Sequence, residues 1–221
     1  QCLAGEERNA RVTSTYGTGE LIRAALDAGA QRLLLTLGGS ATNDAGAGML
    51  CALGARLLDD QGNPLPPGGA ALAKLARLDL KSLDPRLTQL RVEAAVDVDN
   101  PLCGPRGASA IFGPQKGACA NEVAELDRAL AHYADVCRAE LAGDWHQLPG
   151  AGAAGGMGYA AAAWLGATLR PGIELVMERL EMPIRLAGCD LLITGEGSLD
   201  GQSLSGKTPI GAARAARAAG V

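Results

Sequence analysis

Aromatic residues are scarce in this sequence: they make up 3% of its 221 residues, and only one is a phenylalanine. A core must therefore be built from leucine, alanine and valine, and the hydrophobic content of 48% is ordinary for a globular protein. The length is sufficient for one large domain or two modest ones. Glycine is abundant, at 31 residues, and much of it is clustered. Such clusters indicate tight turns or a backbone that approaches a ligand closely.

Metal-binding patterns of the zinc type are absent. The six cysteines are scattered without a C-x-x-C pair, and the two histidines, His132 and His146, are isolated. This spacing argues against a transition-metal site and favours reduced thiols, as in the cytosol. We therefore expect a cytoplasmic protein.

An excess of basic residues and a membrane-type segment are also absent. The net charge of −4 and the pI of about 5.2 argue against a nucleic-acid surface. The first residues are polar and lack the apolar core of a signal peptide. Residues 149–169 carry no charge, but they are mostly glycine and alanine, which contribute too little transfer free energy for a membrane span. We expect neither nucleic acid nor a membrane as a partner.

Segments typical of helices and strands alternate along the chain, which predicts the α/β class with a layered αβα architecture. The first helix, in "TGELIRAALDAG", has Gly29 at its C-terminal end and an apolar face of Leu21, Ile22, Ala25 and Leu26. The longest helix is predicted over residues 121–142. The other elements are a buried strand in "RLLLTL", a helix in "DAGAGMLCALG", strands in "ARLLDD", "LRVEAAV" and "AGCDLLIT", and a last helix in "PIGAARAARAAG".

One segment matches the P-loop of nucleotide hydrolases: Gly201 to Thr208 reads G-x-x-x-x-G-K-T. In a P-loop protein the strand ends directly at the first glycine. Here "GEGSLD" separates Gly201 from the predicted strand end near Thr194. The context therefore favours a phosphate- or substrate-binding loop of another kind. A turn-rich loop without function and a true P-loop are the alternatives.

A second glycine-rich segment, "PGAGAAGG", resembles a dinucleotide fingerprint because Gly150, Gly152 and Gly155 fit G-x-G-x-x-G. The preceding "GDWHQLP" is not a buried strand, so the fingerprint lacks its structural context. Two interpretations remain open. The loop could hold an anion on the free N–H groups at the start of a helix, or its small residues could permit close packing.

Two further loops follow predicted strands. "GGSATND" places Ser40, Asn43 and Asp44 between a strand and a helix, where open α/β sheets bind ligands. The alternative there is a helix N-terminus capped by Thr42 or Asn43.

The second of these loops, "VDVDNPL", places Asp97 and Asp99 two residues apart. If the strand continues, both carboxylates project to one side, and one or two carboxylates with substrate phosphates commonly hold Mg²⁺. The alternative is a turn at Asp99-Asn100-Pro101.

The chain as a whole resembles the two-domain bacterial glycerate kinases of type 1. Five segments occur in the order typical of that family: "TSTYGTGELIRAAL", "GGSATNDAGAGM", "DVDNPLCGPRGASAIFGPQKGA", "PGAGAAGGMG" and "ITGEGSLDGQSLSGKTPIG". The resemblance implies a kinase that uses ATP and Mg²⁺ to phosphorylate D-glycerate. The product would be 2-phosphoglycerate, or alternatively 3-phosphoglycerate, with release of ADP. The alternatives are a non-catalytic isolated domain of such a kinase and a P-loop hydrolase.

The resemblance also implies an organisation. We expect an internal piece of the family's fold, without its N- and C-terminal regions, whose activity in isolation is left open. Residues 1–190 are expected to form an α/β domain. Residues 191–221 are expected to form a strand-loop-helix with the "GEGSLDGQSLSGK" loop, at the junction with a second, Rossmann-like domain. A homodimer is one option for the assembly.

Residue roles are implied by position within these motifs. Lys207 and the backbone of the loop are assigned to phosphate or to the glycerate carboxylate, and Glu196 and Asp200 to orienting or deprotonating the attacking hydroxyl. Asp97 and Asp99 are candidate Mg²⁺ ligands. The resemblance places glycerate beside Ser40, Asn43, Asp44, Gly195, Gly197 and Gln202, and ATP beside Gly150, Gly152, Gly155 and Gly156.

Overall fold

The computed structural model describes residues 8–141, 143–195 and 208–221. Helices and strands are mixed along these residues, which confirms the predicted α/β class. The helices are α1 (Tyr16–Asp27), α2 (Ala47–Ala52), α3 (Ala108–Phe112), α4 (Ala120–Cys137), α5 (Ala153–Leu165), α6 (Gly172–Arg179), α7 (Met182–Leu186) and α8 (Thr208–Ala219). The strands are β1 (Arg32–Thr36), β2 (Arg56–Leu58), β3 (Arg77–Asp79), β4 (Arg91–Ala95) and β5 (Thr168–Arg170). Short 3₁₀ helices span Gly69–Lys74, Pro85–Gln89 and Pro114–Lys116.

A three-stranded parallel sheet in the order β1-β4-β5 organises the chain. Glu93 at the middle of β4 is paired with Leu34 of β1 on one side and with Thr168 of β5 on the other. Helices α5 and α6 pack against β4, whereas β2 and β3 form a separate antiparallel pair. Because β1 and β4 run parallel, the loops that follow them lie side by side at one edge of the sheet.

The core consists largely of leucine and alanine, as the scarcity of aromatic residues predicts. Ile22 of α1, Leu50 of α2 and Leu130 of α4 are fully buried. Each such side chain stabilises the fold by about 1.5–3 kcal/mol. Tyr133 and Tyr159 meet edge to face at 6.1 Å between ring centroids and join α4 to α5.

The longest predicted helix, α4, is present but shorter than expected. It begins at Ala120 because the Glu122 carboxylate accepts a hydrogen bond of 2.8 Å from the backbone N–H of Cys119. It ends at Cys137 rather than at residue 142, because the chain turns there and the N–H of Glu140 donates to the Cys137 carbonyl. Leu126 and Leu130 of this helix are fully buried.

Two burial predictions were wrong. The strand β1 was expected to be buried, but Arg32, Leu34 and Thr36 are exposed, and Leu34 is 44% exposed. These three residues share one face of the strand, and the alternating burial shows that this face is open whereas the face of Leu33 and Leu35 is partly covered. On α1, Ile22 is buried but Leu21 is exposed, because adjacent helical residues point about 100° apart. Gly29 does follow the helix end, with φ of +84°, as predicted.

The strand predicted in "AGCDLLIT" is not formed, and residues 187–194 have no regular structure. Leu191 is 73% exposed and Ile193 is 85% exposed. Among the described residues no strand lies beside this segment, and an isolated strand has no partners for its backbone groups. A domain boundary at residue 190 stays a prediction.

The glycine-rich segment does lead into a helix, as expected. At the start of α5, Ala154, Gly155 and Gly156 have φ of 51°, 71° and 91°, and regular helix follows. A Cβ atom at Gly155 would overlap the carbonyl oxygen of Thr42. Glycine is therefore required here both by the left-handed backbone and by the close approach of the β1–α2 loop.

We predict that Gly155→Ala destabilises the full-length protein by about 3 kcal/mol, because it adds both backbone strain and an overlap with Thr42. Gly166→Ala is the matched control: Gly166 has φ of +61° but open space around its Cβ position. The control should lower the free energy of unfolding only by the backbone strain of a left-handed alanine, about 1 kcal/mol. Denaturant unfolding of both variants measures the difference. Equal losses would show that the contact with Thr42 does not constrain the fold.

Candidate functional site

A cleft of about 140 Å³ lies at the carboxyl edge of the parallel sheet. Four segments that are distant in sequence meet there: the loops after β1 and β4, the α3 region with its following 3₁₀ helix, and the start of α5. The lining residues are Leu37, Gly38, Gly39, Ser40, Val98, Phe112, Gln115, Lys116, Ala153 and Ala154. This is the position at which open α/β sheets bind ligands, and it is where the sequence placed the "GGSATND" loop.

Asp44 fixes the shape of this loop from behind the cleft. Its carboxylate is fully buried and accepts hydrogen bonds from the N–H and the hydroxyl of Thr15, at 2.8 and 2.9 Å. It also accepts from the N–H groups of Gly46 and Gly48, at 3.3 and 3.2 Å. Burial raises the pKa of this carboxyl, and the four donors oppose the rise. These contacts favour a structural role for Asp44, and direct contact with substrate stays a prediction.

Lys116 fixes the same loop from the side of the cleft. Its ammonium group donates to Ser40 Oγ at 3.1 Å and to the Thr42 carbonyl at 2.6 Å. The residue is only 3% exposed, and burial lowers the pKa of its amine to about 8, a shift that the negative charge of Asp44 opposes. A buried cation thus lies in the cleft wall beside Ser40, the predicted substrate residue.

Asn43 lies deeper, where it is fully buried. Its amide Nδ2 donates to Ser109 Oγ of α3 at 2.9 Å, so it ties the β1–α2 loop to that helix. Its Oδ1 is buried and accepts no hydrogen bond from the described residues. Of the three residues predicted in this loop, Ser40 therefore lines the cleft, whereas Asn43 and Asp44 lie behind it.

The glycines of "PGAGAAGG" contact protein backbone. Gly152 N–H donates to the Asn100 carbonyl at 2.9 Å, and the Gly155 carbonyl accepts from the N–H of Ala45 at 3.0 Å. A Cβ at Gly156 would approach Ala45, and one at Gly150 would meet Leu169. These contacts favour the packing interpretation, although nucleotide binding by Gly150, Gly152, Gly155 and Gly156 stays a prediction. It is Ala153 and Ala154 of this segment that line the cleft.

Strand β4 ends at Ala95, before both Asp97 and Asp99, so the condition for aligning their carboxylates on one face is not met. Asp97 Oδ1 accepts from the N–H of Gly172 at the start of α6, at 3.0 Å. Asp99 forms an ion pair of 2.9 Å with Arg106 and is well exposed. In the described part of the chain no group of three or more acidic, histidine or cysteine side chains is placed to hold a metal ion. Metal binding by either residue stays a prediction.

The predicted catalytic loop lies largely outside the described residues. Glu196, Gly197, Asp200, Gln202 and Lys207 all fall in the range 196–207. Gly195 is described and is exposed at the end of the irregular segment. Helix α8 begins at Thr208 with Pro209 as its second residue, as the sequence predicted.

The sequence alone predicts no role for Lys116, although this residue lies in "FGPQKGA", within one of the segments that resemble the family. One signal was available: the lysine lies between Pro114 and Gly117, and no acidic residue occurs within five positions of it. Its burial depends on contacts with residues 40 and 42, more than seventy positions away, which the sequence does not disclose.

The fold and the cleft define an α/β protein with a small polar pocket, lined by a buried cation, at the carboxyl edge of its sheet. Comparison with known proteins identifies the family. A model of the glycerate kinase family matches residues 1–221. The chain therefore belongs to the glycerate kinase family.

Curated relatives agree with this assignment. A glycerate kinase of Bacillus subtilis (strain 168) is 52% identical over 212 residues, which cover 96% of this chain and 56% of that protein. A glycerate 2-kinase of Escherichia coli (strain K12) is 50% identical over 217 residues, covering 98% and 57%. A crystal structure of a protein from Salmonella typhimurium LT2 matches with a TM-score of 0.89 and 51% identity, covering 98% of this chain and 58% of that one. The chain thus spans a little more than half the length of these relatives.

We predict that Asp44→Asn lowers the free energy of unfolding of the full-length protein by about 3 kcal/mol. The amide would turn a donor toward N–H groups that now donate to the carboxylate. Asp60→Asn is the control, because Asp60 is exposed and should change stability by less than about 0.5 kcal/mol. Denaturant unfolding compares the two. If Asp44→Asn lowers the free energy of unfolding no more than Asp60→Asn does, Asp44 does not hold the loop.

Proposed function

We propose that the full-length protein is a glycerate kinase that transfers the γ-phosphoryl group of ATP to D-glycerate, giving 2-phosphoglycerate and ADP, with 3-phosphoglycerate as the alternative product. One observation supports the proposal most: a cleft with a buried lysine and a serine lies where the family's segments converge. The names of relatives at about 50% identity support the same activity.

The reaction is an in-line displacement at phosphorus. The glycerate hydroxyl oxygen forms a bond to the γ-phosphorus while the bond to the bridging oxygen of ADP breaks, and ADP leaves with that electron pair. The hydroxyl proton passes to a carboxylate, for which Asp200 and Glu196 are the candidates. Lys207 would neutralise charge on the transferred group. The protein's contribution is mainly positioning and electrostatic stabilisation.

Mg²⁺ would neutralise charge on the phosphates of ATP when it is bound. Among the candidates Asp97 fits this role better than Asp99. In the described part of the chain its Oδ2 accepts no protein hydrogen bond, whereas Asp99 Oδ2 is paired with Arg106. A single carboxylate is sufficient where substrate phosphates supply the other oxygens. Val98, which follows Asp97, lines the cleft.

A cytoplasmic location and a homodimer remain part of this proposal. Among the described residues, no helix combines the length and apolarity that crossing a membrane requires. The six scattered cysteines are consistent with a reducing compartment.

We predict that the full-length protein releases ADP only when D-glycerate and Mg²⁺ are both present. The product should be 2-phosphoglycerate, whose ³¹P signal is split by one proton, whereas that of 3-phosphoglycerate is split by two. A coupled assay of ADP release measures the requirement for D-glycerate and Mg²⁺, and ³¹P NMR identifies the product. ADP release that is independent of glycerate would instead indicate a nucleotide hydrolase, and the absence of turnover would favour a non-catalytic domain.

The segment of residues 196–207 provides separate predictions. Asp200→Asn should abolish nearly all turnover, because it removes the charge that orients or deprotonates the hydroxyl. Thr208→Ala should keep most activity, because a helix-start hydroxyl contributes at most about 1 kcal/mol of stability. If Thr208→Ala is inactive and Asp200→Asn is active, the P-loop interpretation is correct instead.

Lys207→Ala should lower kcat/KM for glycerate at least about 100-fold, and Lys81→Ala, at an exposed site, is its control.

A further inference from the structure

The ammonium group of Lys116 is a buried charge without a direct anionic partner. Among the described residues no carboxylate lies within ion-pair distance of it, and its hydrogen bonds go to a hydroxyl and a carbonyl. Asp44 acts on it only through space, from behind the loop. An unpaired buried cation is costly, and its cost is offset when a ligand supplies the missing negative charge.

Further hydrogen-bond donors surround this cation in the cleft. Two of the three ammonium hydrogens go to Ser40 Oγ and to the Thr42 carbonyl, so one remains. Ser40 Oγ accepts from Lys116, which leaves its own hydrogen available to donate. In the described ranges, the backbone N–H groups of Gly38 and Gly39 also donate to no protein acceptor. All four residues line the cleft.

We propose that Lys116 and Ser40 bind the carboxylate of glycerate, with the N–H groups of Gly38 and Gly39 completing the site. This inference rests on the proposed function and names the part of the substrate that the described residues recognise. A carboxylate has two oxygens with about four acceptor positions, which matches one ammonium hydrogen, one hydroxyl and two backbone N–H groups.

The size of the cleft favours the hydroxy acid over the nucleotide. Pockets that hold drug-sized ligands have volumes of about 300–1,000 Å³. At about 140 Å³ the space between these residues is closer to the size of a three-carbon acid than to that of a nucleotide. Its walls are the apolar or small side chains of Val98, Phe112 and Ala154, so Lys116 is the charged residue of the lining.

The same lysine also supports the loop through its two hydrogen bonds, so a purely structural role must be separated from binding. A structural role predicts a loss of stability and of kcat that is independent of the substrate concentration. A binding role predicts a rise in the KM for glycerate with little change in the KM for ATP. Only the binding role gives a dependence on the carboxylate of the substrate.

The decisive experiment compares Lys116→Met with the exposed-site control Lys81→Met in the full-length protein. We expect Lys116→Met to raise the KM for glycerate at least about tenfold, the loss of one charge-assisted hydrogen bond, with the KM for ATP within about threefold. Both KM values of Lys81→Met should match those of the wild type. An increase in the KM for ATP alone would place a phosphate at Lys116 and overturn the inference. Unchanged constants, or a loss confined to kcat and stability, would also overturn it.

The pH dependence of glycerate binding to the wild type tests the same point. Glycerate should bind well below pH 8 and more weakly above it, because the Lys116 amine, with a pKa of about 8, then loses its proton. The charged groups around it are Asp44 and Arg8, whose guanidinium binds the neighbouring Gln115 carbonyl at 3.2 Å. Burial also raises the pKa of Asp44, so the same profile is measured for Lys116→Met, in which a pH step that belongs to Lys116 is absent. Glycerate binding by the wild type that does not change with pH would overturn the inference.

A calorimetric titration separates this inference from the proposed function. Glycerate and glycerol, which lacks the carboxylate, are titrated into the wild type and into Lys116→Met without ATP. If the wild type has no kinase activity, the proposed function fails. The carboxylate site still stands if the wild type binds glycerate but not glycerol and Lys116→Met binds neither. If glycerate binds equally to both proteins, or to neither, the carboxylate site is overturned.

Discussion

The buried carboxylate of Asp44 is the interaction on which the rest of the site depends. By accepting hydrogen bonds from Thr15, Gly46 and Gly48 it joins the starts of α1 and α2 and sets the path of the loop between β1 and α2. That loop carries Ser40 at the cleft and presents the Thr42 carbonyl to both Gly155 and Lys116. Loss of these hydrogen bonds would therefore displace the wall that carries Ser40 and the Thr42 carbonyl that holds Lys116.

Lys116 supplies the opposite charge, and the two residues act on one loop from its two sides. Asp44 is satisfied by protein donors, whereas the ammonium group of Lys116 keeps part of its hydrogen-bonding capacity for the cleft. The arrangement places negative charge behind the loop and positive charge in front of it. This arrangement supports the proposed binding of a small anion at the carboxyl edge of the sheet, where the family's segments converge.

The sequence predicted the elements with strong local signals and missed features that depend on distant contacts. The position of the candidate site after β1 followed from the rule that open α/β sheets bind ligands in loops that follow strands, and Gly29 followed from helix-capping rules. The exposure of Leu34 could not be predicted, because it depends on which face of β1 the rest of the fold leaves open. The segment 187–194 has a strand-like composition, yet composition does not supply a neighbour to pair with. Lys116 was missed because its burial depends on the loop around residue 42.

The most direct test of the account is a crystal structure of the full-length protein with D-glycerate and a non-hydrolysable ATP analogue. The account predicts the glycerate carboxylate within hydrogen-bonding distance of Lys116 Nζ and Ser40 Oγ, with the nucleotide outside this cleft. A structure in which glycerate binds elsewhere while nucleotide phosphates occupy the space beside Lys116 would contradict it.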